Sequence, residues 1–224
     1  MRFAFCEPFG LPRLIGLAVL LTHGAPLHAE EQCGPANSLG VVTCVAGLEH
    51  ESVVEMATVQ EGRFWCWAAS ISMIFAHYGY KLPQTQVVAS APRISGEFPA
   101  ASGEVISGLL SKAWVAQDGK QFESVAITAD RNAKRYQLTN KEVIAELSHG
   151  RPLLVGTQSH AMVLVALHFQ RSARGTLRID GGTVIDPTPG VGIRSLTEAE
   201  MRPTYLAAVR IRQEAPPVPT SSGT

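Results

Sequence analysis

The chain has 224 residues, 46% hydrophobic and 17% charged, which supplies a core for one packed domain and excludes wholesale disorder. Basic and acidic residues balance at 19 each, and no basic block offers an electrostatic footprint for nucleic acid. Glycine and proline are only slightly enriched, so collagen-like and low-complexity readings fail.

Residues 1–29 have the three-part layout of a secretory signal peptide. Arg2 and Arg13 precede an apolar run over 14–22, and small residues end the segment, with Ala29 the expected last residue removed. The run is about half of what a bilayer span needs. No other stretch is long and apolar enough, so no membrane insertion is expected after signal cleavage, and the mature chain is read as secreted or periplasmic. Of the four cysteines, Cys6 leaves with the signal. Cys33 and Cys44 flank a short polar loop and are expected to pair in an oxidising compartment, pinning an irregular segment over 30–52. Closing so short a loop contributes roughly 2–3 kcal/mol by chain entropy. Cys66 is left over as an inert buried thiol, an intermolecular bridge or a nucleophile.

Residues 53–59 read as a short strand. The run 66–78 has helical spacing and is apolar almost all round, which predicts a buried helix stopped at Gly79. Helices are expected over 84–89, after Pro83, and over 103–114. Residues 121–128 alternate as a strand. Thr139 and Glu142 form a capping box for a helix ending at Gly150. Strands follow from Pro152 and over 159–169, then a turn at 172–175, the strand TLRI, and a further strand over 183–185 closed by Asp186-Pro187. Asp180-Gly-Gly reads as a turn. Ser195 and Glu198 suggest a second capping box, and 205–211 a last strand. The tail 213–224 has a disordered composition. Helices dominate the first half and strands the second, so the fold class is α+β, two lobes of one domain with the boundary near 120–150.

The segment around Cys66 carries the chemistry. The cysteine sits where a loop becomes a buried helix, and the unpaired N–H groups and partial positive charge there favour the thiolate, which is the nucleophilic form. His160, entering the strongest strand, is the candidate proton acceptor. Asp186 is placed to orient the imidazole, and Gln60, six residues before Cys66, is a candidate oxyanion donor beside the Cys66 N–H. Trp65 and Trp67 flank the cysteine and are candidates to exclude water. His50, His77, His149 and His168 read as surface or structural histidines. No lipase-type serine elbow, zinc helix or phosphate loop occurs, and nothing in the sequence calls for a cofactor or a metal.

The run Q-x5-C-W-A-A, the later H-A-M-V-L-V and the still later I-D-P-T-P-G resemble the papain-like cysteine peptidases, especially the bacterial branch with bacteriocin-leader peptidase-like and plant-pathogen effector proteases. The resemblance covers about 53–211. It implies a papain-like fold, with an N-terminal helical lobe carrying the cysteine and a C-terminal antiparallel sheet lobe carrying the histidine and aspartate. It implies Cys66 as nucleophile, His160 as base, Asp186 as orienting residue, Gln60 in the oxyanion hole, and a peptide or protein substrate. Only one cysteine stands in the run, preceded by Phe-Trp, and no propeptide is evident. The same triad serves cell-wall peptide amidases and transglutaminase-type acyl transferases, and the fold also serves non-catalytic binding modules. Oligomeric state is not readable.

Overall fold

The computed structural model describes residues 31–92 and 101–212. The signal-peptide reading of 1–29 and the tail reading of 213–224 lie outside the described residues.

The molecule is α+β, built on a large antiparallel sheet. The segment expected to be irregular is instead a hairpin of β1 (Gln32–Cys33) and β2 (Val42–Gly47). Cys33 and Cys44 face each other across it and are disulfide-bonded, as expected. The predicted strand at 53–59 is wrong: α1 spans His50–Met56. The adjacent valines suggest a strand, but Val53 and Met56, three apart, are the buried pair, and Val54 is left exposed.

Helix α2 (Cys66–His77) is the predicted buried helix, with every residue from Trp67 to Phe75 inside. Gly79 ends it at a φ of 85°, a conformation glycine adopts without cost. Helices α3 (Gln84–Ser90) and α4 (Gly103–Leu109) follow. The predicted α4 ran on to Trp114. Trp114 instead sits in β3 (Ala113–Val115), its indole N–H donating to the Leu109 carbonyl at 3.0 Å. Then come β4 (Gln121–Asp130), the short β5 (Arg135–Tyr136) and α5 (Asn140–Ser148), whose Thr139/Glu142 capping box is complete.

Strands β6 (Leu153–Gly156) and β7 (Ala161–Arg171) are as predicted. Next, β8 (Leu177–Asp186) runs straight through Asp180-Gly-Gly, so no turn divides it. A Cβ on Gly182 would meet the Leu196 side chain at 2.9 Å and the Ala166 carbonyl at 3.3 Å, so close packing, not a turn, explains that glycine. An unforeseen β9 (Gly192–Ser195) pairs with β8, and β10 (Tyr205–Arg212) is the last element among the described residues. The expected Ser195/Glu198 helix is absent. Thr197 and Glu200 form the reciprocal pair instead, around a turn.

The sheet order is β1-β2-β7-β6-β10-β4-β3, with β8 on the other edge of β7 and β9 beyond it. One edge of β7 is therefore shared, by β6 along residues 161–164 and by β2 along 166–171. Alternation along the strands sorts two cores. Ala161, Val163 and Val165 face α1 to α4, whereas Met162 and Leu164 face α5. The four helices between β2 and β3 thus cover one face of the sheet. The chain crosses the expected division of halves, because β2, β3 and β4 pair with the later strands.

Candidate active site

A cavity of about 650 Å³ opens between the start of α2 and the mouth of the sheet, with Cys66, His160 and Gln60 on its wall. Each arrives from a different element. Cys66 is the first residue of α2, where the helix has no intrahelical acceptor for the N–H groups of its first turn. His160 stands one residue before β7, in a tight turn whose carbonyl accepts from the Thr157 N–H at 2.8 Å and the Thr157 hydroxyl at 3.2 Å. Asp186 ends β8, buried, at the point where the chain leaves the sheet.

These three groups form one line. His160 Nε2 lies 2.8 Å from Asp186 Oδ1, and His160 interacts electrostatically with Cys66, which shares its cavity wall. With Nε2 committed to the carboxylate, Nδ1 is the ring nitrogen left for the sulfur. Burial pushes the Cys66 thiol up. The His160 hydrogen bond, the backbone N–H groups of Ala161 and Trp67 and the imidazolium charge outweigh it, so the thiol titrates below its ordinary value. The hydrogen bond to Cys66 raises His160 above its ordinary value. Burial opposes this, and the Asp186 carboxylate reinforces it. Burial pushes Asp186 up, but Thr188, His160 and Arg194 hold its carboxyl at about 2. The arrangement therefore favours a thiolate–imidazolium pair with an ionised carboxylate behind it.

Gln60 is held firmly but not as an idle donor. Its amide nitrogen donates to the carbonyls of Gly62 at 2.8 Å and Arg63 at 2.9 Å. Its backbone N–H donates to the Pro187 carbonyl at 2.8 Å, tying the loop before Cys66 to the loop after Asp186. The buried Gln84 braces both neighbours, donating to the Val59 carbonyl at 2.8 Å and accepting from the Glu61 N–H at 2.9 Å. The two tryptophans divide their work. Trp67 is buried on the cavity wall, while Trp65 lies over Gly62 in its own loop.

The other histidines among the described residues stay apart from this line. His77 Nε2 is 2.7 Å from the Gly150 carbonyl and His149 Nδ1 is 2.5 Å from the Ala145 carbonyl, both structural contacts. His168 is exposed along β7, and His50, read as loop surface, opens α1. Asp180 accepts from Arg178 on the exposed side of β8, away from the line. Sequence reasoning missed Arg194, Glu200 and Thr188, which surround Asp186. The one available signal was the Thr197/Glu200 spacing, two residues beyond the pair chosen.

Residues 49–198 match the family described as papain-like cysteine protease AvrRpt2. The chain belongs to this family. It is a cysteine-type peptidase. Among solved structures, the peptidase is similar to a double glycine motif protease from an AMS/PCAT transporter, solved in complex with the leader peptide. The identity is 15%, the match covers 68% of this chain and 89% of that one, and the TM-score is 0.39. It is also similar to the peptidase domain of Streptococcus ComA, a bi-functional ABC transporter involved in a quorum-sensing pathway. There the identity is 16%, with 70% and 98% covered and a TM-score of 0.40. No curated protein matches the chain.

Proposed function

We propose that the peptidase hydrolyses peptide bonds through a Cys66–His160–Asp186 triad, within a single domain over 53–212 whose helical and sheet lobes meet at the cavity. The observation that carries this reading is the placement of Cys66 and His160 together on the cavity wall, with the buried Asp186 carboxylate hydrogen-bonded to the far side of the imidazole. The thiolate attacks the scissile carbonyl carbon, and the carbonyl π electrons move onto oxygen. The Cys66 N–H, unused by the helix, donates to that oxyanion. Gln60 supplies the second donor by exchanging its bond to the Arg63 carbonyl for one to the substrate. His160 then protonates the leaving amine as the C–N bond breaks. It next takes a proton from water as the water opens the thioester, which returns the thiol pair. Asp186 keeps the imidazole in register and stabilises its charged form.

The substrate is a peptide or protein chain, in keeping with the family. The signal-like segment 1–29 and the Cys33–Cys44 disulfide support export to an oxidising compartment. Among the described residues no helix is long and apolar enough to cross a membrane.

The test pairs turnover of a denatured protein substrate with alkylation of Cys66 across pH. Cys66→Ala is expected to abolish turnover while the far-UV circular dichroism and thermal midpoint stay near wild type. Wild type should label fast well below the free-thiol midpoint of about 8.5, and His160→Ala should lose that advantage. Full turnover by Cys66→Ala would end the reading.

A further inference from the structure

We propose that Arg194, backed by Glu200, is a positioning residue for the triad: its guanidinium fixes the Asp186 carboxylate toward His160, and Glu200 cancels its charge so that a net negative unit faces the imidazolium. This inference rests on the triad reading above.

The two oxygens of Asp186 have separate duties. Oδ1 accepts from His160 Nε2 at 2.8 Å and from the Thr188 N–H at 2.9 Å. Oδ2 accepts from both Arg194 Nε at 2.9 Å and Nη2 at 2.8 Å, so the two oxygens are pinned from opposite sides and the carboxylate cannot turn. Arg194 is itself saturated. Nη2 also donates to Glu200 Oε1 at 2.7 Å, and Nη1 donates to Glu200 Oε2 at 2.8 Å and to the Ser195 carbonyl at 3.0 Å. Glu200 is held in turn by the Thr197 N–H at 2.8 Å and the Thr197 hydroxyl at 2.9 Å. The thioether of Met162, on β7 two residues beyond His160, lies 3.0 Å from Nη2.

The charges make this more than a brace. A buried carboxylate paired with arginine alone is a neutral unit and pulls weakly on an imidazolium. Adding Glu200 turns Asp186–Arg194–Glu200 into a unit of net charge −1. Cys66 on α2 and Asp186 on β8 face His160 directly; Arg194 on β9 and Glu200 in the turn after it stand behind Asp186, and Arg63, in the loop before α2, shares the cavity wall. Asp130, at the end of β4, lines the same cavity. The Arg194 hydrogen bonds hold the Glu200 carboxyl at about 2, so all members of the clamp keep their charge over the working range. Lysine in place of Arg194 keeps the charge but cannot present the planar fork to two carboxylates at once.

The experiment follows the His160 imidazole by NMR across pH in the full chain, beside the rate of Cys66 alkylation at pH 6. Glu200→Gln removes one negative charge behind Asp186, so the His160 midpoint should fall by about half a unit to one unit. Arg194→Lys should leave that midpoint within about 0.2 units, because the charge count is unchanged, yet slow Cys66 alkylation by about tenfold as the carboxylate loses its fixed plane. Thermal midpoints verify that each variant is folded, and the near-isosteric Glu200→Gln carries the test if Arg194→Lys does not fold. A clamp that is merely structural would lower the thermal midpoint without moving the His160 titration. A Glu200→Gln titration that overlays wild type overturns the proposal, as does wild-type alkylation in folded Arg194→Lys. Failure of the triad itself has a different signature: alkylating Cys66 in wild type would then leave the His160 midpoint in place.

Discussion

Gln60 stands on the cavity wall six residues before Cys66, yet its amide holds the carbonyls of Gly62 and Arg63. If one of those bonds is exchanged for the oxyanion only as the tetrahedral intermediate forms, the gain belongs to the transition state and not to substrate binding. Gln60→Ala is then expected to lower kcat by about 10² while KM changes much less. Steady-state kinetics on a single peptide substrate separates the two constants; a rise in KM with kcat intact would make Gln60 a loop brace. Cys66, His160 and Asp186 were legible because each begins or ends a strongly patterned element, where a side chain can leave the core and enter a cleft. Arg194 and Glu200 were not. Their partnership with Asp186 depends on β9 folding back along β8, and β9 is short, with the apolar Ile193 exposed and the charged Arg194 turned inward, the reverse of the usual alternation.

The helices show the same division between local and long-range information. Helix α2 and the Thr139/Glu142 cap were readable because composition and spacing agree over several turns. Helix α1 was misread because its two buried residues lie within one turn and its β-branched pair suggested a strand. Helix α4 was drawn too long, since nothing near Trp114 reveals that its indole N–H folds back to Leu109. The start of α4 also shapes the site. A Cβ on Gly103 would collide with an Asp130 carboxylate oxygen and stand 2.8 Å from the Tyr205 ring, both on the cavity wall. Gly103→Ala must push α4 away from β4 and β10, and overpacking of this kind costs about 1–3 kcal/mol. Equilibrium denaturation should record that loss, together with a weaker KM for peptides that fill the cavity. Wild-type stability would mean that Asp130 and Tyr205 yield without resistance.

Across the whole molecule, the Cys33–Cys44 bridge lies at one end of the sheet order and the candidate site lies on the far half of β7. Strand β2 meets β7 only from Ala166 onward, whereas His160 precedes Ala161 at its other end. The staple should therefore matter to stability more than to chemistry. Replacing both cysteines by serine is expected to cost about 2–3 kcal/mol, because the unfolded chain regains the entropy of the open loop. The pH profile of Cys66 alkylation should stay in place, and a displaced profile would show that the hairpin reaches the thiolate.

Strand β10, the last element among the described residues, lies inside the sheet between β6 and β4, and its first residue, Tyr205, helps wall the cavity. A polypeptide released or paused before this point leaves two strand edges unpaired in the middle of the sheet and one wall of the cavity missing. The pairings of β2 with β7 and of β10 with β4 and β6 join strands far apart in sequence, so the loop-closure entropy must be met before these contacts reward it. The nascent chain thus carries Cys66 through synthesis without a finished cleft around it, and the cavity is walled only once β10 is in place.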